Sequence, residues 1–180
     1  LAGQTVRYWS AWPVAGEAPA GVERAGTPEA ADFALTLTPE GGALHLVPPI
    51  GVLGVGCRRG TTAERLEEAF SAFCASSGLS PAAVSAAASI DLKKEEPGLA
   101  QFCEAHGWPI TFYSADQLRA VPGQFTPSAF VAGVTGVDNV CERAAAKASG
   151  GALLLPKTAG GGVTLALAVR PFAPDWRTEQ

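Results

Sequence analysis

Three polar loops carry most of the residues able to do chemistry in this chain. The first is Gly54-Val55-Gly56-Cys57-Arg58-Arg59-Gly60-Thr61. Its glycines permit a tight turn and close approach of backbone to a ligand. A helix starting just beyond it would offer unpaired N–H groups to an anion, and Arg58 or Arg59 can grip a carboxylate or phosphate in two places. The second loop, Ser89 to Gly98, places Ser89 and Asp91 at a strand end with Lys93 toward an anionic group. A carboxylate beside a lysine suits a general base or an orienting pair. The third, Thr135 to Glu142, contains Gly136, Asp138 and Glu142, and Lys157 follows later ahead of a glycine run.

Each feature also has a plainer reading. The first loop can be an ordinary strand-to-helix turn with solvated arginines, and the second a solvated charge run. Asp138 is explained as a helix N-cap, Glu142 by the positive end of that helix, and Lys157 by an exposed loop. Cys57, beside two arginines at a helix start, is expected to have a lowered thiol pKa and is the best candidate nucleophile; a buried, inert thiol is the alternative. The spacing G-x-G-x-x-x-G is a variant of the dinucleotide fingerprint, but the acid expected at the second strand end is displaced to Asp91. His45 and His106 lie far apart, so neither a Ser-His-Asp set nor an intrinsic zinc site can be assembled.

These loops need a frame, and the composition supplies one. The chain has 180 residues, 47% of them hydrophobic and 17% charged, which suits one domain or one domain plus part of another. The net charge of −4 has acids and bases interleaved, which disfavours nucleic acid as a partner. Cys57, Cys74, Cys103 and Cys141 are irregularly spaced and are expected to be reduced. No secretory signal is visible, and the apolar runs 152–155 and 163–169 are too short to span a bilayer. A start at Leu1 and the absence of methionine suggest an excised fragment with residues missing upstream.

Residues 1–48 read as the tail of an upstream unit plus a linker, with strand-like content at 5–10, a Pro/Gly/Ala loop at 12–28, and a hairpin-type break between 33–38 and 43–47. From Ile50 the pattern is regular. Strands are expected at 50–55, 84–90, 110–113, 152–155 and 163–169. Helices are expected from Thr61 or Thr62 to Gly78, over 98–106, 115–120 and 139–149, with a short turn at Ser80-Pro81. Residues 157–162 read as the loop joining the last two strands. Alternating strands and helices predict an α/β fold with a mostly parallel or mixed sheet.

The ordered set GVGCRRGT, SIDLKKEEPGL, FYSADQL, TGVDNVCERAA, LLLPK and GGVTLALA resembles the C-terminal domain of the CbiG family, which CobE proteins share. The resemblance spans about residues 53–169 and implies a three-layer α/β/α domain over 49–172, with residues 173–180 as a tail. It implies a role in the anaerobic route to vitamin B12: water opens the δ-lactone of cobalt-precorrin-5A, and acetaldehyde leaves to give cobalt-precorrin-5B. A non-catalytic, CobE-like corrinoid carrier is the alternative. The family motifs fall on Gly54, Gly56, Cys57, Arg58, Gly60, Thr61, Ser89, Asp91, Lys93, Glu96, Gly98, Gly136, Val137, Glu142 and Lys157.

On this reading Arg58, Thr61 and Lys93 hold substrate carboxylates, and Glu142 or Asp91 is the base, with Cys57 the remaining catalytic candidate. No cofactor is implied, because the cobalt arrives in the substrate. The implied setting is cytoplasmic, without nucleic acid or membrane partners, and leaves room for a homodimer and for transient contact with neighbouring methyltransferases. The family's N-terminal domain is absent from the chain, so an active site shared between domains would be incomplete in it.

Overall fold

The computed structural model describes residues 5–127 and 139–177, which form two compact units. The smaller unit draws on residues 1–49, 78–83 and 172–180. Its strands β1 (Val6–Ser10), β2 (Val22–Arg24), β3 (Phe33–Leu35) and β4 (Leu44–Leu46) form a parallel sheet in the order β2-β1-β3-β4. Tyr8 anchors it, stacking on Phe33 and meeting Trp176 edge-on at 4.9 Å.

Two expectations for this region need correction. The stretch read as a loop at 12–28 contributes β2. The hairpin expected at Pro39-Gly42 is replaced by parallel pairing of Phe33 with Leu44 and Leu35 with Leu46. The chain turns twice rather than once between these strands. Thr36 Oγ1 accepts from Thr38 N–H in a local side-chain turn, and Gly41, at φ +78°, makes the second bend.

The larger unit comprises Ile50–Ser77 and Val84–Pro171. Its chain order is β5 (Gly51–Cys57), α1 (Ala63–Ser77), β6 (Val84–Ile90), α2 (Pro97–Ala105), β7 (Ile110–Tyr113), α3 (Ala115–Arg119), α4 (Cys141–Ser149), β8 (Ala152–Gly160) and β9 (Val163–Val169). The sheet order is β7-β6-β5-β9-β8. Strands β5, β6 and β7 are parallel, and β9 and β8 are antiparallel additions, so the sheet is mixed.

Successive side chains of a strand face opposite sides, and the sequence of the central strands exploits this. On one face Val52, Ala86, Ala88 and Ile90 pack against Leu118 of α3, Ala144 of α4 and Val140 just before α4. On the other face lie α1 and α2, where Leu66, Phe70, Leu99 and Phe102 are fully buried. The result is a helix–sheet–helix α/β arrangement. Thr62 caps α1 by accepting from Arg65 N–H, and Gly78, at φ +68°, ends it. Ser114 and Gln117 form a capping box on α3.

The region read as a loop at 157–162 is instead mostly strand. β8 runs through Lys157 to Gly160, and the turn is reduced to Gly161-Gly162, both at positive φ as a tight two-residue hairpin requires. The Asp138 cap and residues 136–137 lie outside the described residues, and the helix begins at Cys141 rather than Asn139.

Gly54 decides how closely α4 approaches the sheet. A Cβ placed there would lie 1.8 Å from the carbonyl oxygen of Cys141. Substituting Gly54→Ala therefore forces α4 off β5, and a loss of about 3 kcal/mol is expected from overpacking, read as a lowered urea midpoint. An unchanged midpoint would refute the close packing of α4 on β5.

Candidate functional site

At the carboxyl end of β5, where open α/β sheets gather ligands, the larger unit opens into a cleft of about 560 Å³. Its apolar parts come from Ile90, Leu92, Val140 and Val163, and Leu92 is 61% exposed at its mouth. Arg58, Arg59, Lys93 and Lys157 bring four cationic side chains to the lining, and no Asp or Glu lines it among the described residues. In a chain of net charge −4, this is a local reversal of sign.

Of the residues expected at the site, Gly56, Cys57, Arg58, Lys93 and Lys157 line the cleft. The glycine at 56 faces Thr164, whose hydroxyl donates to Gly56 O; a Cβ at residue 56 would come within 2.4 Å of Thr164 Oγ1. Arg58 N–H donates to Gly162 O, which ties the first loop to the β8–β9 turn. Neither Arg58 nor Arg59 has a carboxylate in ion-pair contact among the described residues.

Gly54, Ser89 and Thr61 serve the framework instead. Gly54 lies under α4. Ser89 is fully buried and donates to Val55 O at 2.7 Å, binding β6 to β5 instead of facing a ligand. Thr61 donates its hydroxyl to Arg58 O, closing the turn before α1. Asp91 is exposed, begins a single 3₁₀ turn and does not line the cleft. Gly136 lies outside the described residues.

Glu96 explains why the first loop is not a free anion site. Its carboxylate accepts from Gly60 N–H at 2.8 Å and from Lys93 Nζ at 3.0 Å. The Gly60 N–H, and then the Lys93 ammonium, hold this buried carboxyl below the usual carboxylate range. The chain thus fills with its own acid the N–H that the glycine pattern offered to a ligand. The close approach is possible because residue 98 is glycine: a Cβ there would lie 2.1 Å from Thr61 O.

The same geometry bears on two of the catalytic candidates. Burial pushes the Cys57 thiol above its ordinary pKa, outweighing the opposite pull of Lys93, so the arginines at 58 and 59 do not make it a thiolate. Glu142 is fully buried, with three of its carboxylate lone-pair sites filled by the chain's own donors. Oε2 accepts from Thr126 N–H at 2.7 Å, and Oε1 accepts from Thr126 Oγ1 at 2.9 Å and from Lys157 N–H at 2.6 Å. It presents no free base to the cleft.

The sequence reading missed Asn139, Cys141 and Thr164 in the lining. Asn139 Oδ1 accepts from Glu142 N–H at 2.9 Å, and its Nδ2 donates to Thr126 O at 2.8 Å. The spacing Asn139-x-x-Glu142 is that of a helix-capping pair and was the available signal. Cys141 is buried, and desolvation raises its thiol pKa to about 11. Among the described residues no group of three or more His, Cys, Asp or Glu could hold a metal ion, and no helix is long and apolar enough to cross a membrane.

Comparison with known proteins places this geometry. The family described as Cobalamin synthesis G C-terminus matches residues 51–168. A cobalt-precorrin-5A hydrolase from Priestia megaterium is 36% identical over 134 residues, covering 74% of this chain and 35% of the relative, so the chain spans about a third of that protein's length. The solved structure of CobE, a protein from the cobalamin (vitamin B12) biosynthetic pathway, matches with a TM-score of 0.61 and 35% identity over 68% of this chain and 92% of CobE. A cobalamin biosynthesis protein G homolog from Sulfolobus solfataricus shares the fold at a TM-score of 0.57 and 16% identity, over 93% of this chain and 51% of that one. The glycine-started cleft, its basic lining and these matches lead to one assignment: the chain belongs to the C-terminal domain family of cobalamin synthesis protein G.

Proposed function

We propose that this chain holds the cobalt-corrinoid substrate of a cobalt-precorrin-5A hydrolase, in the cytoplasm, while the δ-lactone is opened and acetaldehyde is released to give cobalt-precorrin-5B. The observation that carries this reading is the charge of the cleft: four cationic side chains, an apolar interior and no lining carboxylate among the described residues. A corrinoid at this stage is a flat apolar macrocycle fringed with carboxylates, so the two halves of the cleft answer the two halves of the ligand.

The same geometry supports a division of labour in the reaction. Water attack on a lactone needs a base and a donor for the developing oxyanion. Arg58, Arg59 and Lys157 are available as donors. The base is assigned outside the described lining, because Glu142 is internally engaged, Asp91 does not line the cleft and the Cys57 thiol stays protonated. A CobE-like carrier is the second reading, favoured by the match to nearly the whole of CobE.

A visible-absorbance titration with cobalt-precorrin-5A, with acetaldehyde assayed in the same tube, tests the proposal. Binding without acetaldehyde is expected from this chain alone. Acetaldehyde release would put the base within it, and absence of binding would sink the reading. Substituting Arg58→Ala is expected to weaken binding about tenfold, the worth of one charge-assisted hydrogen bond, and raising the salt concentration should weaken it further. Alkylation of Cys57 by iodoacetamide, mapped by peptide mass, is expected to run slower than that of free cysteine at pH 8 and to keep rising above pH 9. A rate levelling off below pH 8 would restore the thiolate.

A further inference from the structure

Lys157 reaches the cleft from the irregular part of an edge strand. The register of β8 against β9 shifts between Leu153 and Leu155 and again between Leu155 and Thr158, so Pro156 and Lys157 sit in the second irregularity. Pro156 has no N–H to give a ladder. The N–H of Lys157 donates instead to the buried Glu142 carboxylate at 2.6 Å. A bulge of this kind re-aims a side chain, and here an acid from a different element holds it.

The other end of the same lysine closes a ring. Its Nζ donates to Thr126 O at 3.3 Å and Pro127 O at 3.4 Å, while Thr126 gives both its N–H and its hydroxyl to Glu142. Asn139, through its own two bonds, fixes Thr126 to the start of α4. The ammonium is thereby held at the cleft by two neutral acceptors at long distance. A ligand carboxylate would be a stronger partner than either carbonyl.

Resting on the functional reading above, we infer that Glu142 is a positioning residue: its buried carboxylate fixes the bulge that presents Lys157 as an anchor for one carboxylate of the bound corrinoid. Its replacement weakens binding through Lys157. A role as general base would instead spare binding and abolish turnover.

The test is a double-mutant cycle on the whole 180-residue chain, titrated with cobyrinic acid, a stable cobalt-corrin polycarboxylate, and followed by visible absorbance. Lys157→Met and Glu142→Gln are each expected to weaken binding about tenfold, with the double variant no weaker than either single one, because contacting residues of one network are not additive. Multiplied losses, or full affinity in Glu142→Gln, would overturn the inference while leaving the cleft reading intact. Failure of the unaltered chain to bind would overturn both. Should Glu142→Gln not fold, Thr126→Val withdraws one donor from the ring. A loss of about threefold that vanishes in the Lys157→Met background supports the inference, and one that persists there overturns it.

Discussion

A carboxylate with no exposed surface must be given hydrogen bonds by the protein, because an unpaired buried charge costs far more than a small domain can tolerate. Glu142 imposes this requirement on the larger unit. Its donors are the N–H and hydroxyl of Thr126 and the N–H of Lys157 in β8, while its own backbone N–H donates to Asn139 at the start of its helix. Three segments distant in sequence are thereby fixed in one geometry. The helix that carries Glu142 can come low enough to do this because β5 has glycine at 54. One side of the cleft therefore depends on a charge and a missing side chain together.

The opposite side repeats the device. Glu96 bonds the N–H of Gly60 and the ammonium of Lys93 together, and its approach depends on the glycine at 98. On both sides an internal acid stands behind the lining, and among the described residues the charged groups that line it are all cations. The protein is acidic as a whole, yet the acids that organise this site are turned away from it. An anionic ligand thus meets cationic groups at the cleft of a chain whose net charge is negative, an arrangement that favours encounter there as well as binding.

Much of the larger unit was legible in the sequence. Continuous apolar runs at Ile50–Val55 and Val163–Val169, capping threonines before α1 and the glycine after its end are local signals, and they led to the right elements. Of the residues that carry the family motifs, Gly56, Cys57, Arg58, Lys93 and Lys157 meet at one cleft. What was illegible depends on partners distant in sequence. Ser89 and Thr61 look like loop hydroxyls until the backbone carbonyls they bond are known. The thiol of Cys57 answers to burial rather than to its neighbours in sequence. The Pro156-Lys157 pair reads as a loop because the acid that stabilises its bulge lies fifteen residues away in a helix. Parallel pairing of β3 with β4 was hidden because a short connection between two strands normally signals a hairpin.

The irregularity in β8 has a second effect. In the sheet order this strand is an edge, and a straight edge strand offers its free N–H and C=O groups to any other extended chain. β8 carries three consecutive leucines, Leu153 to Leu155, and Leu154 is 45% exposed, which is the composition most prone to such pairing. Proline at 156 and the two register shifts interrupt the row of groups a second chain would need. The bend that brings a lysine to the cleft is also the kind of irregularity that blunts an edge strand against pairing with another chain.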